Sequence, residues 1–142
     1  GRRLYLFAAA GAAMAAIQRE ANFLLAQVLD QGFMALEAQN FPEAERHLTA
    51  AMVLKPTATI GATLAFAQQK QSRSEAERAT LRATEPLVST ASERRIVQML
   101  HLNLKRQDKP RVLLEEGKTG MTYECSICKE LYLLIIKTRI QK

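Results

Sequence analysis

The chain repeats itself, and that repetition limits its possible folds more than any other feature. Gln39-Asn40-Phe41-Pro42 returns 68 positions later as Gln107-Asp108-Lys109-Pro110, and Glu43-Ala44-Glu45-Arg46 returns as Glu75-Ala76-Glu77-Arg78 at an offset of 32. Two steps that together make this longer offset average about 34 residues, the period of stacked helical hairpins. A hairpin of that size cannot bury its apolar face alone, so the units must stack and share one core. With 142 residues the chain is long enough for a single domain of this kind.

Residue patterning agrees with helices. Ala and Leu dominate, β-branched runs are scarce, and apolar residues recur at three and four. Leu25, Val28, Leu29, Gly32, Phe33 and Leu36 share one helical face. A second helix starts at Phe41-Pro42, where proline is tolerated in the first turn, and stops before Pro56. Leu64, Ala65, Ala67 and Gln68 belong to a third, which ends in the polar run 69–72. Ser74 with Glu77 and Thr90 with Glu93 have capping-box spacing, predicting helices that begin at each and run to about Thr84 and Arg106. Pro110 opens a short helix of Val112, Leu113 and Leu114, and Gly117 and Gly120 end the pattern.

Gly32, Phe41, Ala44, Ala51 and Pro56 are spaced as in a tetratricopeptide repeat, which residues 25–58 resemble; a weaker likeness continues to about residue 117. The sequence departs from the family at Val28 and Ala35, where aromatic residues are usual, and at Leu64 and Leu100, where small ones are. The resemblance implies an all-α array of about three antiparallel helix hairpins, with a leading helix and an irregular C-terminal tail. Its segments are an Ala-rich leading helix at 1–22, repeats at 23–117 and a basic tail at 118–142. Such arrays hold a peptide or helix of another protein in a concave groove. Transferred to this chain, the groove-facing pattern falls on Leu29, Phe33, Leu36 and Glu37, then Ala65, Gln68 and Gln69, then Arg94, Val97, His101 and Lys105. A competing expectation packs Leu29 and Leu36 against the preceding helix. Gly32 lies where the resemblance puts a close crossing of two helices.

The first segment and the tail carry separate expectations. Residues 4–17 are apolar, Arg2 and Arg3 precede them, and no acid occurs before Glu20. A buried Ala-rich helix is expected, with an uncleaved targeting or membrane-touching segment as the alternative. Fourteen residues in helix reach only ~21 Å, short of the ~30 Å hydrocarbon core. The apolar start, the Gly32 hairpin and His47-Leu48-Thr49 are also similar to the receptors for mitochondrial presequences. Phe7 and Ala10 precede Phe41 and Ala44 by one such period, which makes the leading segment look like a leftover second helix of a hairpin.

Charge divides the chain. Residues 1–93 hold 9 basic and 9 acidic side chains, whereas 94–142 hold 11 and 5 and so carry the whole net +6. Ala follows the same break: 22 occur in residues 1–91 and none after. No Arg-rich block or aromatic-interleaved patch accompanies the basic end, so nucleic acid is not the expected partner. The apolar run 131–136 is expected either to cover the end of the last hairpin or to dock on another protein.

Little points to chemistry. His47 and His101 stand on different helices without a nucleophile arrangement, and the six glycines form no phosphate-cradling loop. Cys125 and Cys128 have a chelating spacing, but no Cys or His follows them, and structural zinc needs four ligands. No enzyme, metal or cofactor is expected. Another protein is the expected partner, bound by a free adaptor or held permanently in a hetero-complex, with cytoplasm or mitochondrion as the compartment.

Overall fold

The computed structural model describes residues 2–108 and 126–140, and every regular element there is a helix. They are α1 (Arg2–Glu37), α2 (Phe41–Leu54), α3 (Ala58–Lys70), α4 (Ser74–Thr84), a 3-10 turn (Glu85–Leu87), α5 (Ala91–Asp108) and α6 (Ser126–Ile140). The chain is therefore all-α. Residues 109–125 lie outside the described residues, and with them the helix expected at Val112–Leu114, the stop at Gly117 and Gly120, and Cys125.

Two hairpins are built alike. Gln39, after α1, and Ser72, after α3, both take left-handed backbone, with φ of 60° and 59°. In each turn the next amide reaches back five positions: Asn40 N donates to Ala35 O and Arg73 N to Gln68 O. These bonds satisfy carbonyls that a helix end leaves bare and set the next helix antiparallel. One and the same offset, close to the repeat period, separates the two turns, the starts of α2 and α4, and the starts of α3 and α5. Pro42 occupies the first turn of α2, where Asn40 Oδ1 accepts from Glu43 N, and Thr57 caps α3 by accepting from Ile60 N.

Helix α3 is apolar around most of its circumference, and 12 of its 13 residues are buried. It packs against α2, α4, α5 and α6. At the centre sits Phe66, edge-on to Phe41 with centroids 6.4 Å apart and tilted against Tyr132 at 6.2 Å. Leu36, Leu48, Leu81, Ile96, Leu100, Leu131 and Ile135 complete a continuous core. Each such side chain contributes ~1.5–3 kcal/mol through removal from water.

Glycine permits two close approaches. A Cβ on Gly32 would lie 3.1 Å from Leu48 Cγ, which is the expected crossing of α1 and α2. A Cβ on Gly61 would meet Thr84 Oγ1 at 2.1 Å. Thr84 is fully buried and its hydroxyl donates to Thr80 O, so it has little freedom to withdraw.

Three expectations change. Helix α1 runs unbroken from Arg2 to Glu37, and its residues 8–20 are exposed rather than buried. The reason is length: α2 has 14 residues, about 21 Å of helix, and covers only the C-terminal part of α1. The tail is not irregular over residues 126–140, where α6 buries Leu131 and Ile135 against α5 and α3. Their i, i+4 spacing gives the helix its inward face. Finally, Ser74 does not cap α4. Arg73 stands at the cap without a side-chain bond: Glu77 N donates to Arg73 O, which places Ser74 inside the helix, and the Glu77 carboxylate is buried.

Candidate binding cleft

The linker between α4 and α5 is held by one carboxylate. Glu93 Oε1 accepts from Ser89 N, Ser89 Oγ and Thr90 N, each at 3.0 Å, while Thr90 Oγ1 accepts from Glu93 N. This is the capping box expected from Thr90 and Glu93. Burial pushes the Glu93 carboxyl up, but the hydrogen bonds from Ser89 and Thr90 outweigh it and hold the group below its ordinary value. Glu93 Oε2 also accepts from Thr59 Oγ1 at 3.3 Å, tying the start of α5 to α3.

Fixed this way, the 3-10 turn and the first turns of α5 enclose a cleft of about 360 Å³ lined by Glu85, Val88, Arg94, Val97, Gln98 and His101. Val88 and Val97 give it an apolar floor that joins the core. Polar groups form the rim. His101 Nε2 lies 2.9 Å from Glu85 Oε1, which bridges the two walls. Arg94, Gln98, His101 and Lys105 follow one another at helical spacing along a single face of α5. Such a cleft can seat an apolar side chain on the valines and hydrogen-bond its backbone or a charge at the rim.

Of the residues expected in the groove, Arg94, Val97 and His101 are thus brought together, and Lys105 lies exposed one turn beyond His101. The first two hairpins place theirs differently. Phe33, at 5% exposure, and Leu36 belong to the core, Ala65 is fully buried, and Leu29 packs against the core from its edge. Val97 is no more exposed than Phe33, but it lines the cleft, whereas Phe33, Leu36 and Ala65 do not. Glu37 is exposed at the end of α1.

Gln68 and Gln69 are also interior rather than groove-facing, and their chemistry is structural. Gln68 Nε2 donates to Glu45 Oε2 at 3.2 Å and Thr80 Oγ1 donates to Gln68 Oε1 at 2.7 Å. Gln69 Nε2 donates to Glu77 Oε2 at 2.8 Å, and Asn103 Nδ2 donates to Gln69 Oε1 at 2.9 Å. Two adjacent amides on α3 therefore join α2, α4 and α5. Unpaired at such depth, each group would cost about 1–3 kcal/mol. Glu45 and Glu77 are the second acids of the repeated Glu-Ala-Glu-Arg segments, but that repeat gives no sign that either carboxylate is buried against an amide. Glu85, Val88 and Gln98 carry no motif of their own.

Among the described residues no group of three or more His, Cys, Asp or Glu side chains is placed to hold a metal ion, and no helix is long and apolar enough to cross a membrane. Comparison with protein-family models, curated proteins and solved structures found no match.

Proposed function

We propose that this chain is a protein-interaction module of tetratricopeptide-like hairpins that seats a segment of another protein in the cleft between the 3-10 turn and α5. Two turns of the same left-handed geometry, offset by about one repeat period, support the repeat reading. The cleft itself carries the functional one: its apolar floor is continuous with the core, while Arg94 and Gln98 stand exposed on its rim. A peptide with one apolar side chain for Val88 and Val97, and acceptors for Arg94 and Gln98, matches that surface.

The test is a displayed-peptide library panned against the intact chain. Peptides captured by the wild type should bind Arg94→Glu/Gln98→Ala at least about tenfold more weakly, a loss of ~1.4 kcal/mol, with circular dichroism unchanged. Peptides that bind both proteins equally would place recognition outside the cleft. A second reading, a subunit held in a larger assembly, is favoured by the bare side chains of α1, where Phe23 is 73% exposed. Its mark is a chain that precipitates alone and stays soluble only with its partner.

A further inference from the structure

The exposed part of α1 carries a pattern that the hairpins do not use. Ala10, Met14, Ile17, Ala21, Leu24 and Val28 follow one another in steps of 4, 3, 4, 3 and 4, and Phe7 stands three before Ala10. Seven apolar residues alternating at three and four over 22 positions are three heptads of a coiled-coil seam, with no polar interruption. Met14 is 69% exposed, Ile17 62% and Leu24 45%, so this seam faces solvent. At its far end the same side of the helix is already an interface: a Cβ on Gly32, four positions past Val28, would meet Leu48 and His47 of α2. Helix α2 is too short to continue, and the apolar stripe outruns it.

We propose that the seam is covered by α1 of a second copy of this chain, forming an antiparallel two-helix coil that crosses near Ile17. Three features favour a second copy in this orientation. The seam is self-complementary, with small Ala10 and Ala21 letting the two axes approach beside larger Met14, Ile17 and Leu24. Charge is complementary only when the helices run in opposite directions. Arg2 and Arg3 precede the seam and Asp30 follows it, so an antiparallel pair sets a basic end toward an acidic one, whereas a parallel pair opposes Arg to Arg and Glu20 to Glu20. The antiparallel pair also sends the two helical bodies, which begin around Val28, to opposite ends of the coil.

The reading depends on α1 and not on the cleft, and it is tested with the whole chain by light scattering coupled to gel filtration. The wild type should elute with twice the 15.9 kDa mass of a single chain. Met14→Glu and Ile17→Glu should elute as monomers with unchanged melting of the hairpins, because neither side chain is in the core. Phe23→Glu, which lies away from the seam, should remain dimeric. A second measurement covers variants that fold poorly. In a Cys125→Ser/Cys128→Ser background, Ile17→Cys should cross-link under mild oxidation and Ala10→Cys should not. A wild type that stays monomeric at every soluble concentration, or dimers that survive Ile17→Glu, would overturn the proposal. Cross-linking through Ala10→Cys would overturn the orientation. A monomeric wild type that sediments with phosphatidylglycerol vesicles, and loses that property on Ile17→Glu, would give the seam to a lipid surface instead.

Discussion

Leu36 and Ala44 stand three before and five after the left-handed Gln39 that joins α1 to α2, and Gln69 and Glu77 stand three before and five after the left-handed Ser72 that joins α3 to α4. All four are buried, yet one pair is apolar and the other is a carboxylate bonded to an amide. The turns, the left-handed residues and the fully buried Leu48 and Leu81 are nevertheless equivalent. Backbone geometry here is set by turn bonds and by leucine packing, and the remaining interior position tolerates either chemistry if its polar atoms find partners. The polar solution has a wider reach. Gln69 extends to Asn103 on α5, a connection that leucine at that place could not make.

The sharpest way to break this equivalence is to empty the matched leucine sites. Leu48→Ala and Leu81→Ala should each lower stability by ~2–5 kcal/mol in urea unfolding, since both side chains are fully buried. A near-neutral result at one site would show that the hairpins close differently. The glycines should separate the hairpins by a smaller amount. Gly61→Ala drives a Cβ into Thr84 and should cost about 1–3 kcal/mol, partly recovered by Thr84→Ala. Gly32→Ala meets Leu48 Cγ and Cδ2 and His47 Cβ at 3.1–3.4 Å, a milder contact than at Gly61, and the better helix propensity of alanine, about 0.5–1 kcal/mol, should offset it. Equal losses at the two sites would refute this account of the crossings. The smallest effect is a gain. Gln39→Gly and Ser72→Gly should each raise stability by ~0.5–1 kcal/mol, because glycine takes left-handed backbone without a Cβ penalty. Unequal gains in thermal melts would show that the two turns are not alike.

What was legible in the sequence follows from the range of the forces involved. The Thr90–Glu93 box and the stop of α2 before Pro56 rest on groups within four positions of each other, and both stand in the structure. Ser74 and Glu77 have the same spacing, but Glu77 is drawn inward by Gln69, itself held by Asn103, which local pattern cannot reveal. The candidate groove was readable on α5, where Arg94, Val97 and His101 share one face beside the cleft. It was not readable at Phe33. One residue turns a helix by about 100°, so a small error in rotation exchanges groove for core. For α1, apolar composition announced a helix without saying whether anything in the chain would cover it.

A helix of 36 residues is about 54 Å long, yet α1 is gripped only near its C-terminal end, where α2 lies against it. Mechanically it is a lever whose fulcrum is the Gly32 crossing. Roughly 30 residues of α1 precede Gly32, an arm of ~45 Å, so a tilt of about 5° at the fulcrum sweeps the tip by ~4 Å. A displacement of Leu48 too small to disturb the core would thus be magnified at the far end. Whatever holds that end is mechanically connected to the packing of the first hairpin.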